Sequence, residues 1–490
     1  MTRTHTTVLA GVSALLLYGG AAWATGPVDG AERRGPSSSQ SPYLVGTERG
    51  VSATSVLTVG DEVDGYRMAG LADGLGAFDN HDGTFTLVMN HEVSAGSGAT
   101  RAHGATGAFV SRWTVDKSSL WVSDGADLIQ RVRQWDGAAW GDVVTEFSRF
   151  CSATLADQSA FLDRRSRTGT EHHLFTAGEE SGAEGRAVAT VVDGPDAGST
   201  YVLPWLGRAS WENVVPQPRT GRSTVVVGLD DSGGGQVYVY VGRKQRTGND
   251  VERAGLTGGS LFGLRIEGVD AESDATAVPA DGVRFDLVEI PDAASMTGAE
   301  LETASTALGI TRLNRPEDGS FDPSDDAGFW FATTASFTGI SRLWHLEFDD
   351  ARDPLAGGTA RVVTQSPPYD ATVSAAEQAG PRMMDNLTVD GRGRVLVQED
   401  PGNQPYVAGV FSVDPRSGTA TEIAAHRPSL FAPGSPALLT QDEESSGVVW
   451  LPFLGRDSFL LTVQAHAPTG DPETVEGGQL VLLTLRGHRR

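Results

Sequence analysis

Short clusters of acidic and amide side chains recur along the chain where strand-like runs end. Asn90 and Glu92 of NHE stand two residues apart after such a run, so they point to one face if the chain stays extended. Glu179 and Glu180 are adjacent in GEE; they face opposite ways in a strand, whereas a glycine-flanked loop lets both converge. These oxygens suit cations, and they equally suit strand ends that enter a loop.

Two further clusters add oxygen donors. Glu212 and Asn213 follow an aromatic residue in WEN, and Asp230 and Asp231 precede a glycine-rich turn. Aspartates in turns often only bond their own backbone, so the second pair has a purely structural interpretation. Calcium, with about six to eight oxygen ligands, is the functional alternative for both clusters.

The tetrapeptide NRPE combines a cation with a carboxylate. Pro316 predicts an extended conformation at Arg315, which aims Arg315 and Glu317 to a common side. An arginine fork suits bidentate contact with phosphate, beside a carboxylate that binds metal or steers the arginine. A surface turn is the alternative interpretation.

The segment MMDNLTVDGRGRVLVQED predicts a hairpin with acids at both loop ends. Asp385 and Asn386 precede its first strand, and Glu399 and Asp400 end its second strand, with Asp390 in the turn. The sequence therefore predicts that these side chains lie at one end of a blade-like unit.

Cys151 is the only cysteine in the 490 residues. A thiolate with carboxylates nearby is typical of an iron site, whereas zinc requires paired cysteines or histidines at fixed spacing. A plain buried core cysteine is the alternative. The sequence also lacks GxSxG, HExxH, P-loop and dinucleotide-binding signatures in their required contexts.

The chain has a formal net charge of -25, from 63 acidic and 38 basic side chains. Such a surface repels nucleic acid and argues against polybasic membrane attachment, although it also simply favours solubility. An anionic substrate is compatible with it only if bound cations reverse the local field.

The elements that must position these residues are short strands. Residues 224–229 and 236–242 predict a hairpin, and similar runs lie at 83–90, 393–400, 409–415, 447–453 and 478–487. Helical periodicity is scarce, with candidates at 296–309 and 151–163. Many short strands in a chain of this length predict an all-β fold, and a β-propeller in particular.

The N-terminus predicts export. Residues 1–24 have an apolar run and end in Ala22-Trp23-Ala24, which is typical of a secretory signal; residues 25–45 read as a flexible leader, and 46–490 as a single domain. No other stretch reaches about 18 uncharged apolar residues, so we expect a secreted monomer, extracellular or periplasmic, without membrane contact after signal removal.

The order of these motifs resembles the PhoX-type alkaline phosphatase family. NHE, a lone cysteine, GEE, WEN, DD in a glycine turn, RPE and DNL with an acidic strand end succeed one another between about residue 50 and about residue 480. The resemblance implies a six-bladed β-propeller with a few short helices that hydrolyses phosphate monoesters by metal-assisted attack, with iron and calcium bound. The context FCSATLA lacks the glycine-rich sequence of the best-known members, which indicates a divergent branch.

The resemblance also implies roles for individual residues. Cys151 is the expected thiolate ligand of iron (Fe3+), followed by Glu180 and Glu179, with Glu317 as another metal-binding acid. Arg315 and Asn90 are the expected contacts of the phosphate oxygens. Further expected metal ligands are Glu92, Glu212, Asp231, Asp385 and Glu399.

Two alternatives remain at this point. One is a calcium-dependent propeller lactonase or phytase that uses only oxygen ligands. The other is a secreted calcium-binding propeller without catalytic activity, which recognises a surface or uses calcium for stability. Both make Cys151 irrelevant to function, so the role of its thiol separates them from the iron-dependent hydrolase.

Overall fold

A computed structural model describes residues 32–486. The predicted signal, residues 1–24, lies outside the described residues. Within 32–486 the chain forms six consecutive antiparallel blades. Blades 1 to 3 consist of Ala72–Asp79, Thr84–His91, Phe109–Asp116 and Val122–Asp127; Phe150–Leu155, Leu174–Glu179, Ala187–Val191 and Ser199–Val202; and Trp211–Pro216, Ser223–Asp230, Val237–Arg243 and Ser260–Ile266. Blades 4 to 6 consist of Pro316–Phe321, Gly328–Thr333, Arg342–Phe348 and Gly358–Gln365; Met384–Val389, Val395–Glu399, Gly409–Val413 and Ala420–His426; and Glu443–Trp450, Ser458–Pro468, Glu476–Leu485 and Val51–Thr58.

The first strand of each blade faces a common central axis. Each of these innermost strands contacts the innermost strand of the next blade, and Glu443–Trp450 of blade 6 contacts Ala72–Asp79 of blade 1. Val51–Thr58, from the start of the described chain, pairs antiparallel with Glu476–Leu485 from its end and completes blade 6. The predicted all-β six-bladed propeller is therefore confirmed.

The remaining elements lie outside the six four-stranded blades. Val283–Ile290 joins blades 3 and 4 into one continuous sheet, because it pairs with the outer strand of each. The other strands are Arg33–Arg34, Leu44–Gly46, Glu62–Val63, Tyr66–Arg67, Arg131–Trp135, Trp140–Val143, Leu162–Asp163, Thr168–Gly169, Gly233–Gly235 and Leu313–Asn314. The helices in residues 32–486 are Gln158–Phe161, Asp250–Ala254, Gly298–Ala307 and Pro428–Phe431, with 3-10 turns at Pro204–Leu206, Ala293–Ser295, Pro354–Ala356 and Ala375–Glu377.

Continuous apolar runs form strands here because both faces of a blade are covered. In the run TVVVGL, Val226 packs with Tyr240 in the cluster shared with blade 2, whereas Val225 and Val227 pack in the cluster shared with blade 4. Neighbouring residues of a strand point to opposite faces, so each face supplies one interface between blades. Burial contributes about 1.5–3 kcal/mol for each such side chain.

One expectation about local structure requires correction, and another is confirmed. The candidate helix at 151–163 is instead the strand Phe150–Leu155 followed by one short helix, because pairing with Leu174–Glu179 overrides the helical propensity of its alanines. The candidate at 296–309 is confirmed as Gly298–Ala307. No helix in the described part of the chain has the length and hydrophobicity needed to cross a membrane.

The described part of the predicted leader packs against the domain. Leu44–Gly46 pairs antiparallel with Ala420–His426, and Leu44 is fully buried. The ring of Tyr43 lies edge-on to Phe431, 5.8 Å away. The apolar pair Tyr43-Leu44 supplies enough buried surface to hold this segment, so residues 33–45 belong to the packed domain.

Candidate metal centre

Each innermost strand carries a carboxylate or the thiol at its second residue. We call these six side chains the donor ring: Asp73, Cys151, Glu212, Glu317, Asp385 and Glu444. Because the six blades repeat one geometry, the same position in each blade lies at the same end of the central channel. The fold thus gathers six donors from residues 73–444 of the sequence.

A local irregularity accompanies this position in most blades. In blades 1 to 5 the register between the first two strands shifts at the ring residue, for example between Phe150 and Ala153 around Cys151. In blade 6 the shift comes later, between Ser446 and Val448. A β-bulge re-aims a side chain, which explains how residues of a paired strand turn toward the axis.

A second layer of polar residues lies beside the ring. In blades 1 to 5 the second strand ends opposite the first residue of the innermost strand, and the residue after this end begins the following loop. In blade 6 the equivalent residue is His466, which follows Ala465, the partner of Glu443, and lies within Ser458–Pro468. We call these residues the rim: Glu92, Glu180, Asp231, Thr334, Asp400 and His466. Four of the six rim residues are carboxylates, so ring and rim together form a strongly acidic mouth.

Three groups of donors are close enough to share a cation. Asp73, Glu92 and Cys151 each offer a ligand atom within 4.8 Å of one another. The same holds for Cys151, Glu180 and Glu212, and for the trio formed by Glu212, Glu317 and Asp385. Cys151 links the first two groups and Glu212 links the last two, so the three form one continuous chain of donors.

Cys151 lies among the carboxylates of this chain of donors, and the residue is 5 % exposed. Its Sγ donates to Glu180 Oε2 at 2.9 Å. Burial and the neighbouring carboxylates of Glu180, Glu92 and Glu212 raise the pKa of the thiol well above its usual value. The thiol therefore sits among anions rather than in hydrocarbon, which is the arrangement expected of a metal ligand and not of a core cysteine.

Arg149, two residues before Cys151, lies across the rim. Its Nε donates to Glu92 Oε1 at 2.8 Å, and its Nη2 forms an ion pair with Glu180 Oε2. The side chain is 44 % exposed, and its φ of 53° is left-handed. Arg149 is thus a partly exposed cation held between two rim acids.

Arg315 has the corresponding arrangement before Glu317. Its Nε and Nη2 donate to the two oxygens of Asp231 at 2.7 and 2.8 Å, and Nη2 lies 3.1 Å from Glu317 Oε1. The expected extended conformation is not found, since its φ is 57°. Its N–H donates to the Ser232 carbonyl and its own carbonyl accepts from Thr334 N–H, and these bonds fix the left-handed turn.

The electrostatics of the mouth favour cations. Burial, followed by repulsion from neighbouring carboxylates, raises the pKa of Asp73, Glu212, Glu317 and Asp385 above the usual range. Burial likewise raises the pKa of Glu180 to about 8. Packed acids of this kind are relieved by multivalent cations, which are the strongest local charges available.

Unpaired polar atoms point to the same conclusion. Among the described residues, Thr334 Oγ1 is buried without a hydrogen-bond partner, and Glu317 Oε1 has only its ion pair with Arg315. Buried polar groups are normally bonded, so unpaired oxygens at a site indicate a missing ligand. The donor set of one thiol and many carboxylates fits iron near Cys151 and calcium among the oxygen-only positions.

Glu444 and His466 complete the mouth on the blade 6 side. His466 Nε2 lies 3.7 Å from Glu444 Oε2, and its Nδ1 lies 2.8 Å from Glu476 Oε2. Burial lowers the pKa of His466, but the carboxylates of Glu444 and Glu476 outweigh this effect and raise the pKa to about 11. His466 is therefore a cation that orients Glu444.

Two of the predicted ligands lie away from the donor ring. Glu179 points to the opposite side of its strand from Glu180, pairs with Arg186 and accepts from Ser148 N–H at 2.9 Å. Glu399 is fully buried and accepts from Gly409 N–H at 2.7 Å. Both acids are saturated by structural partners, so the structure gives them no place in the three donor groups.

Asn90 lies behind the ring and not in the mouth. It is fully buried, and its Nδ2 donates to the Cys151 carbonyl at 2.9 Å. In this geometry the Asn90 amide binds the backbone of Cys151 and does not face a substrate, unlike the phosphate contact expected from the sequence. The remaining predicted residues are Cys151, Glu180, Glu317, Arg315, Glu92, Glu212, Asp231 and Asp385, and the structure brings these together.

Sequence reasoning missed several members of the mouth. Asp73 stands alone in LADGLG and resembles a turn former, and Glu444 lies in the acidic run DEESSG. Arg149 precedes the cysteine without a neighbouring acid. The signal that identifies them is the second position of each innermost strand, which is visible only after the six blades are aligned.

Comparisons with known proteins bear on the whole chain. The family model described as Alkaline phosphatase PhoX matches residues 191–449, more than half of the 490 residues. The match includes Glu212, Arg315 and Glu317, and Cys151 lies before it. No curated protein sequence matches the chain significantly.

Solved structures share the architecture. The chain is similar to Pseudomonas fluorescens PhoX in complex with vanadate, a transition state analogue, with a TM-score of 0.66 and 13% identity over 93% of this chain and 98% of that chain. A putative 6-phosphogluconolactonase from Bacteroides uniformis has a TM-score of 0.33 and 12% identity over 80% of this chain and 95% of that one. An alpha-L-arabinanase from Penicillium chrysogenum has a TM-score of 0.39 and 8% identity over 91% and 99%. The first of these similarities shows that the two chains share a fold.

Proposed function

Because the chain belongs to the alkaline phosphatase PhoX family, we propose that it is a metal-dependent phosphatase that hydrolyses small-molecule phosphate monoesters at the acidic mouth. The donor ring is the observation that carries this proposal, since each of the six blades has a carboxylate or the thiol at the second residue of its innermost strand. The ring donors of blades 1 to 5 also lie close enough together to share cations. The sole thiol lies within this ring, next to carboxylates of three blades.

The donor groups divide into two kinds. The positions around the thiol, Asp73, Glu92, Cys151 and Glu180, would hold iron, for which thiolate is a strong ligand. Oxygen-only positions, with Glu317 and Asp385 among them, would hold calcium, and Glu212 lies between the two kinds. When bound, such cations polarise phosphoryl oxygens and lower the pKa of a bound water.

The two arginines of the mouth would bind the phosphate itself. The partly exposed guanidinium group of Arg149 pairs with Glu92 and Glu180 beside the thiol. That of Arg315 pairs with Asp231 and Glu317 on the oxygen-only side of the donor chain. Charge-assisted N–H donors stabilise the charge that develops on the equatorial oxygens during phosphoryl transfer. The carboxylates of the mouth alone would repel a phosphate dianion. The two arginines are therefore the side chains that would attract and bind the phosphate group.

Asn90 has a supporting role in this proposal. Its amide donates to the carbonyls of Cys151 and Ser152, at 2.9 and 3.4 Å, in the bulge that turns the thiol toward the axis. Asn90 would therefore be a positioning residue that acts through Cys151. This replaces the direct phosphate contact expected from the sequence.

The proposal includes the compartment. Residues 1–24 have the pattern of a secretory signal, and a secreted phosphatase, extracellular or periplasmic, would release phosphate from esters outside the cytoplasm. We expect it to act as a monomer, since all members of the donor ring come from one chain.

Phosphate release from 4-nitrophenyl phosphate tests the proposed activity. Wild type should be active, and Cys151→Ala should lose at least about 100-fold in kcat, because it removes the thiolate donor. Activity that survives in Cys151→Ala would indicate a calcium-only hydrolase instead. Absence of activity in wild type loaded with iron and calcium would reject the phosphatase.

A further inference from the structure

A basic groove lies at the end of the propeller away from the acidic mouth. It is lined by residues 157–159, 162–166, 219–223 and 352, which belong to blades 2, 3 and 4. The segments 157–166 and 219–223 follow the far ends of Phe150–Leu155 and Trp211–Pro216, whose near ends carry Cys151 and Glu212. Strands of six residues separate the two ends by about 17 Å.

Arginines dominate this groove in a chain of net charge -25. We call it the arginine groove, after Arg164, Arg165, Arg219, Arg222 and Arg352. All five are exposed. Arg219 pairs with Asp326, and Arg164 donates to Gln158 Oε1 at 3.3 Å. Arg165, Arg222 and Arg352 form no ion pair with any carboxylate in residues 32–486, so their guanidinium groups remain open to a ligand.

The two acids of the groove are turned to their own hairpins. Asp157 Oδ1 accepts from Ser159 N–H at 2.8 Å. Asp163 accepts from Arg165 N–H at 3.1 Å and from the Ser166 hydroxyl at 2.5 Å. Local turn bonds thus hold both carboxylates away from the arginine side chains, and the groove keeps a positive excess of five arginines over two aspartates.

A buried ammonium lies beneath the same groove. Lys244 is 2 % exposed, and its Nζ donates to Thr220 Oγ1 at 3.1 Å and to the Ser223 carbonyl. No carboxylate of the described chain lies within ion-pair distance of it. Burial lowers the pKa of Lys244 to about 8. Asp163 acts on this ammonium only from beyond ion-pair distance, so an anion above Thr220 and Ser223 would stabilise the buried charge further.

We propose that the arginine groove binds a linear polyphosphate chain as a docking site separate from the acidic mouth. Its volume of about 1040 Å³ exceeds what a single phosphate fills, and its cations extend over three blades, as a chain of charges requires. Arginine forks match tetrahedral oxyanions in bidentate geometry. The choice of phosphate among such oxyanions rests on the proposed phosphatase function.

Binding of fluorescently labelled long-chain polyphosphate to the full-length protein tests this proposal. The triple variant Arg165→Gln, Arg222→Gln, Arg352→Gln should bind at least about 10-fold more weakly, with a shallower dependence of affinity on salt because fewer counter-ions are released. The triple variant Arg49→Gln, Arg416→Gln, Arg456→Gln, which removes the same charge at exposed positions elsewhere, should bind as wild type does.

Several outcomes would overturn the docking site. These are equal binding by wild type and the groove variant, equal losses in both triple variants, or loss of binding in Cys151→Ala, which would place the polymer in the mouth. Binding of phosphatidylglycerol vesicles without binding of polyphosphate would assign the groove to a membrane surface instead.

Hydrolysis of 4-nitrophenyl phosphate separates this proposal from the proposed function. The groove variant should retain wild-type hydrolysis, because its substitutions lie away from the donor ring. A wild type that binds polyphosphate through the groove without hydrolysing esters would contradict only the phosphatase, whereas active enzyme without groove-dependent binding would contradict only the docking site.

Discussion

Arg149 and Arg315 occupy the same position in two blades of the propeller. Each immediately precedes an innermost strand, with φ of 53° and 57°, and each guanidinium joins a rim carboxylate of the preceding blade to a carboxylate of its own blade. Leu71 and Met383 also immediately precede innermost strands, in blades 1 and 5, with φ of 50° and 44°, so the left-handed turn is a general feature of the entry to a blade. The two arginines differ from these residues in the ion pairs that their side chains form with rim carboxylates.

This equivalence predicts that the two arginines contribute alike to catalysis. Arg149→Gln and Arg315→Gln should each lower kcat/KM for 4-nitrophenyl phosphate by about 100-fold, because each removes a charged donor to the transition state. Arg186→Gln is the matched control, since Arg186 pairs with Glu179 outside the donor ring. Full activity in Arg149→Gln would show that this arginine only neutralises Glu92 and Glu180.

Glu212 and Glu399 form a matched pair of buried acids with different predicted roles. Glu212→Gln should reduce the content of both iron and calcium, because Glu212 belongs to two donor groups. Glu399→Gln should leave the metal content unchanged and lower stability by about 1–3 kcal/mol, because the carboxylate accepts from the N–H groups of Gly409 and Arg382 and from the Tyr406 hydroxyl. Elemental analysis and thermal unfolding of the two variants measure both effects. Equal metal loss in both would contradict the assignment.

Asn90→Ala distinguishes a positioning residue from a phosphate contact. If Asn90 holds the bulge around Cys151, its removal should lower bound iron and kcat together while KM of the loaded fraction stays within about 2-fold of wild type. A raised KM at unchanged metal content would instead restore the direct phosphate contact expected from the sequence.

Removal of metals should destabilise the protein. The carboxylates of the ring and rim repel one another when no cation separates them. Chelation with excess EDTA should therefore lower Tm by at least about 5 °C, and added calcium should restore most of this loss. An unchanged Tm after verified metal removal would contradict a structural contribution of the cations.

The fold was predictable because strand signals in this chain are strong and local. Residues 224–229 and 236–242 form the expected hairpin, and apolar residues on both strand faces match blades covered on both sides. The helix predicted at 151–163 was wrong. Alanine and leucine favour a helix there, but pairing with the strand Leu174–Glu179 makes residues 150–155 a strand. Tyr43 and Leu44 pack against the domain, although the polar residues around them in the sequence favoured a flexible leader.

The site was predictable only in part. Adjacent acids such as Glu179 and Glu180 diverge by strand alternation, and only the structure shows that Glu180 is the one facing Cys151. Asp73 and Glu444 could not be identified from the sequence, because neither belongs to a local motif that indicates a metal ligand. Their role follows from the repeated geometry of the blades, which no exact sequence repeat displays.

Metal content of the purified protein tests the central claim most directly, because the donor ring has no other evident purpose than to bind cations through a thiol and carboxylates. Wild type should contain iron at a molar ratio of at least about one together with calcium, and Cys151→Ser should lose the iron while it remains folded. Wild type that takes up calcium but no iron, or Cys151→Ser that retains iron at the wild-type ratio, would contradict the account.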